Sequence, residues 1–168
     1  MKRNVLLTVF SALAIASAAF CSDTSDLTVT VGAEASFLSV AAAPLTHSGT
    51  NFAAFSGTTA YTYKMRTAAS NGVGHISLQV TTFGGTGAPL VADLKYSCTD
   101  AASGASPCNG ALNQPDDAAA TSVATFGTDF HSADGGNSAS VGWTLQDKPT
   151  TVTGSYTSTA TFTISAIS

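Results

Sequence analysis

The densest group of chemically able side chains lies in the stretch from Asp129 to Asn137. Asp129, His131, Asp134 and Asn137 bring two carboxylates, an imidazole and an amide into nine positions, and Gly135 and Gly136 allow a sharp fold. Oxygen donors of this kind suit calcium, whereas an imidazole suits zinc or copper. The set is mixed and matches no calcium-loop signature. Its plainer reading is an exposed turn whose Asp and Asn side chains bond their own backbone. No bound metal and no cofactor is expected here. Asp116 and Asp117, beside Pro115, read in the same way as a solvated loop.

Other catalytic constellations are thin. A serine hydrolase needs a nucleophile, a base and an orienting acid. His47, His75 and His131 are the only histidines, and the chain has no Gly-x-Ser-x-Gly elbow. His47 lies in THSGTN, which reads as a turn, and His75 opens a strand with its ring outward. Glu34 is the only glutamate, and the aspartates fall mostly in turn sequences, so paired carboxylates for glycoside chemistry are not evident. The chain does not read as an enzyme.

Three cysteines remain. Cys98 and Cys108 flank TDAASGASP, which is loop material. In an exported protein such a pair reads as a disulfide rather than a metal site, since zinc needs two further ligands nearby. Cys21 follows the N-terminal apolar run. A bacterial lipoprotein signal resembles this arrangement but places a small residue before its cysteine. Here the residue is Phe20, so Cys21 is expected to stay unlipidated.

That apolar run defines the first segment. Lys2 and Arg3 precede a mostly apolar stretch from Val5 to Ala16, followed by Ser17, Ala18 and Ala19. This order is a secretory signal peptide, assigned to residues 1–19, with cleavage after Ala18 or Ala19. Residues 20–168 then form a single domain of about 150 residues. An exported location follows: periplasmic, cell-surface or extracellular, in a bacterium.

Without Lys2 and Arg3, four basic residues face ten acidic ones, a net charge of −6. That balance argues against nucleic acid or an anionic membrane as partner, because both attract a basic surface. No later stretch is long and apolar enough for a transmembrane helix. Charged residues make up 10% of the chain, so Thr, Ser, Asn, Gln and Gly must supply the polar surface.

The elements that would position these residues are strands. From Tyr156 to Ala166 the chain alternates without a break: Phe162 and Ile164 fall on one side, Thr161, Thr163 and Ser165 on the other. Successive strand residues point to opposite faces, so one face enters a core and the other meets water. Similar alternation runs through Leu27–Val31, Tyr61–Arg66, Ile76–Thr81, Leu94–Cys98 and Val141–Leu145. Phe37–Ala42 and Thr121–Phe126 alternate less regularly. Gly-, Asn-, Asp- and Pro-rich turns separate them, at 70–74, 83–89, 132–138 and 146–149. Roughly seven to nine strands at such spacing predict an all-β, immunoglobulin-like antiparallel β-sandwich. The predicted core is Val29, Val31, Tyr63, Met65, Ile76, Leu78, Val80, Leu94, Tyr96, Trp143, Leu145, Tyr156, Phe162 and Ile164. Trp143 reads as a core residue, not as a platform for sugar rings.

The segment GSYTSTATFTISA resembles the last strand of bacterial immunoglobulin-like and pilin-like domains. WTLQDKPTTVTGSYT is similar to a segment of WxL-type surface domains, through Trp143, Thr144 and Leu145. The likeness covers about the last thirty residues and implies a broad class, with no functional residue carried over. A sandwich of this class offers a rigid scaffold whose edges can accept a strand, so the expected role is structural or surface-interacting, as a filament subunit or adhesin, with a protein partner or self-association through a sheet edge. Leu27, Val29 and Val31 form the candidate donor strand, the plainer expectation being that they pair within their own sheet. The alternative is a carbohydrate-binding module using Tyr61, Tyr63, Phe83, Phe126 or Phe130. A small outer-membrane barrel fits less well, because the outward faces carry charges and amides.

Overall fold

The structure is a computed structural model and describes residues 27–47, 49, 51–100 and 112–167. The signal segment, Cys21 and Cys108 lie outside the described residues. The chain divides into two compact units, Met1–Thr30 and Val31–Ser168. Of the first, only residues 27–30 are described.

The second unit is an antiparallel β-sandwich. Its strands are β1 (Glu34–Val40), β2 (Thr46–His47), β3 (Phe55–Arg66), β4 (Val73–Val80), β5 (Leu94–Thr99), β6 (Thr121–Phe126), β7 (Asn137–Leu145) and β8 (Ala160–Ile167). One sheet runs β1-β3-β7-β5, with β2 also on β3; the other runs β6-β4-β8. A 3₁₀ turn at Val91–Asp93 leads into β5.

Alternation explains why these segments are strands. In β4, Gly74, Ile76, Leu78 and Val80 are buried, while Val73, His75, Ser77 and Gln79 are half-buried on the other face. In β7, Val141, Trp143 and Leu145 are buried. Tyr61, Tyr63 and Met65 of β3 complete the centre of the core. Gly74 lets the two sheets approach, since a methyl there would overlap Met65 Sδ. Burying a side chain of the size of Ile76 or Leu78 stabilises the fold by about 1.5–3 kcal/mol.

Two polar ties anchor aromatic side chains of this core, the first between the sheets and the second within one. Tyr96 Oη of β5 donates to the Ser122 carbonyl of β6 in the opposite sheet, at 3.2 Å. Trp143 Nε1 donates to Thr59 Oγ1 at 2.9 Å, which satisfies the indole inside the core as expected of a buried tryptophan.

Three expectations need correction. Leu27–Val31 is not a strand: no pairing is assigned to it, and Val29 and Val31 are 83% and 59% exposed rather than in the core. An alternating pattern gives a segment two faces but no neighbour to pair with. Tyr156 also lies outside the core. The last strand starts at Ala160, and Tyr156 Oη instead donates to the Val152 carbonyl at 2.7 Å, pinning the preceding turn. His47, read as part of a turn, belongs to the short strand β2, where it pairs with Phe55.

β6 departs from strict alternation. Its register against β4 slips between Ile76 and Ser77, and Val123 is the extra residue between Ser122 and Ala124. This β-bulge turns Val123 and Ala124 both inward, and both are fully buried.

Candidate functional site

Among the described residues, four strands of six or more residues end the sheets, β1, β5, β6 and β8, and the two-residue β2 lies on the same edge of β3 as β1. A free edge presents unpaired backbone groups and invites another strand, so proteins blunt edges with charges, proline, bulges or covering segments. Three of the four are blunted. β1 carries Glu34, salt-bridged to Arg66 at 2.9 Å, and a bulge at Leu38, where the register shifts between Phe37 and Ser39. β5 carries Lys95, and Tyr96 exchanges backbone hydrogen bonds with Asn113 at 2.7 and 2.8 Å. β6 holds the Val123 bulge.

Among the described residues, β8 has no charge, proline or bulge. Its sequence, ATFTISAI, contains no charge and no proline, and its register against β4 is unbroken from Val80↔Ala160 to Val73↔Ile167. Among the described residues, no strand pairs with its other edge. Its inward side chains are also incompletely covered. Ile76 and Leu78 of β4 are fully buried, but their partners Ile164 and Phe162 are only half-buried. Phe162 packs edge-on against Phe37 of β1, with ring centroids 6.4 Å apart. Both β1 and β8 end their sheets, and the two strands pack against each other along this side of the sandwich.

Leu27–Val31 has matching needs. Leu27, Val29 and Val31 alternate with Thr28 and Thr30, and all three apolar side chains are exposed. The segment carries no charge and, among the described residues, pairs with no strand. Sequence reasoning singled it out but expected it to pair within its own sheet. The β8 edge could be found only from the strand order, because alternation marks inner and edge strands alike.

The Asp129–Asn137 set is brought only partly together. His131 Nε2 lies 3.0 Å from Asp129 Oδ1 on the surface. Asn137 Oδ1 instead accepts from the Ala133 amide at 3.2 Å. Residues 127–132 dock along β3 by backbone bonds, including Thr67 N to the Phe130 carbonyl and Ser132 N to the Met65 carbonyl. Buried Thr67 adds its hydroxyl, donating to the Gly127 carbonyl and accepting from the Phe130 amide. Among the described residues, no group of three His, Cys, Asp or Glu side chains is arranged to hold a metal ion. Asp116 behaves as a turn residue, its Oδ1 accepting from the Ala118 amide at 2.7 Å.

Cys98 is buried on β5 and engaged with a partner. Of the aromatics weighed for sugar binding, Tyr61, Tyr63 and Phe126 are sealed in the core. Phe83 and Phe130 are half-buried against it. Burial pushes the Tyr61 and Tyr63 phenols up, and the negative charge of Asp100 adds to the effect. No helix among the described residues is long and apolar enough to cross a membrane.

No family model matches this sequence, and neither a curated protein nor a solved structure matches it.

Proposed function

We propose that this chain is an exported, non-catalytic surface protein that acts by β-strand addition, as a filament subunit or adhesin of the immunoglobulin-like and pilin-like kind. The observation that carries this reading is the β8 edge, without charge, proline or bulge and with half-buried inward side chains, in the same chain as an exposed alternating segment at Leu27–Val31.

The two features complement each other. A strand laid along β8 gains main-chain hydrogen bonds, and its alternate side chains extend the half-buried apolar row of Phe162 and Ile164. Leu27, Val29 and Val31 of a second copy would cover Phe162 and Ile164, while Thr28 and Thr30 would continue the hydroxyl face of Thr161 and Thr163. Such a contact is heterologous, so it repeats into a filament unless the rotation closes a ring. Export rests on the N-terminal pattern of Lys2, Arg3 and the apolar run. The Cys98–Cys108 disulfide belongs to the same reading, since an oxidising compartment would close it.

Sizing and unboiled gel electrophoresis of the mature chain test the proposal. The expected result is a ladder of stable oligomers that collapses to monomer when residues 22–31 are deleted. A synthetic peptide of residues 22–33 should bind the deleted form and block re-assembly. A full-length chain that stays monomeric at high concentration would overturn it.

A further inference from the structure

The return from β2 to β3 holds an aromatic ring in an unfavourable place. Phe52 has φ of +62° and is 59% exposed. A bulky side chain strains the left-handed backbone, which Gly would occupy freely, and its hydrocarbon meets water. Neither property helps the fold, and backbone strain of this sort persists where a site needs it.

Phe52 borders an open cleft of about 380 Å³, lined also by His47, Asn51, Phe55 and Asp147. That volume lies within the range of small-molecule sites, about 300–1,000 Å³. The strand register assembles it. His47 pairs with Phe55 across β2 and β3, and Phe55 pairs with Leu145 of β7, which brings Asp147 to the same end of the sheet. The His47 and Phe55 rings lie 5.3 Å apart at 58°. Among the described residues, Asn51 and Asp147 make no hydrogen bond or ion pair, so their polar atoms are available.

We infer that this cleft binds a neutral pyranose unit of a glycan. A sugar ring offers one C–H face and a rim of hydroxyls. The aromatic rings meet the former by apolar contact. The Asp147 carboxylate accepts from hydroxyls, and the Asn51 amide both donates and accepts. The carboxylate also disfavours acidic sugars by like-charge repulsion. The site uses β2, β3 and β7 and does not depend on strand addition at β8.

Saturation-transfer NMR on the mature chain tests this with methyl glycosides of glucose, galactose, mannose and N-acetylglucosamine, and with glucuronate as the acidic control. At least one neutral glycoside should receive saturation, and glucuronate should not. Phe52→Ala and Asp147→Asn should each weaken binding by about tenfold. Phe52→Gly should lose binding while raising the melting temperature, because it relieves the backbone; this keeps the test decisive if Phe52→Ala folds poorly. No transfer to any of the four glycosides would overturn the inference. So would binding unchanged in the Phe52 variants, or glucuronate binding as well as the neutral sugars.

Discussion

The phenol of Tyr63 is shared between the two carboxylate oxygens of Asp100, at 3.0 and 3.2 Å, in a contact closed to water. Tyr63 lies on β3 and Asp100 directly follows β5, with β7 between those strands in the sheet. The bond therefore ties the end of β5 across its neighbour. Hydrogen bonds to charged groups contribute about 1.5–3 kcal/mol. Tyr63→Phe should lower unfolding stability by about 2 kcal/mol, read from urea denaturation midpoints.

Tyr61 behaves differently despite sitting two residues away. Its hydroxyl is fully buried and has no hydrogen-bond partner among the described residues. Removing an unsatisfied buried donor leaves nothing broken behind it. Tyr61→Phe should be neutral or stabilising by up to about 1 kcal/mol in the same assay.

Both phenols also set an alkaline limit. Burial, then the charge of Asp100, raises their folded-state values above the ordinary phenol value of 10. The folded chain holds these protons more tightly than the unfolded chain. Stability is therefore fully present below about pH 10 and falls as pH rises beyond it. Denaturation midpoints measured from about pH 8 to pH 11 should show this decline. The Tyr61→Phe variant should show a shallower one.

Gly74 and Met65 should be coupled. A methyl at position 74 overlaps the Met65 sulfur, and overpacking costs about 1–3 kcal/mol. Gly74→Ala should destabilise by that amount, and Met65→Ala should destabilise by leaving a cavity. The double variant should be less destabilised than the sum of the two, a non-additivity that a double-mutant cycle reads directly.

Cys98 is expected to be linked to Cys108. Intact-mass and peptide mapping without reduction should find the two joined, and removing the link should cost about 2–3 kcal/mol in the chain-entropy description. Free thiols at both positions would contradict the assignment.

The sandwich is legible in the sequence where period-two alternation is strict. Val141, Trp143 and Leu145 of β7, and Ile76, Leu78 and Val80 of β4, are buried as their spacing predicts. Legibility fails where a local event breaks the link between pattern and partner. The Val123 bulge places two consecutive residues inward, which counting by twos cannot show. Tyr156 continues the alternation of β8 on paper, yet the chain is still completing a turn there. Leu27, Val29 and Val31 look like any core strand because alternation is blind to whether a neighbour exists. The Phe52 cleft carries no periodic signal, since its residues come from β2, the following turn, β3 and the end of β7.

The odd residue in β6 has a consequence for kinship. Excising Val123 would leave every other inward position of that strand in phase with β4, whereas excising any residue nearer its ends would invert part of the strand. A distant cousin of this chain that is one residue shorter here should therefore show its alignment gap at Val123.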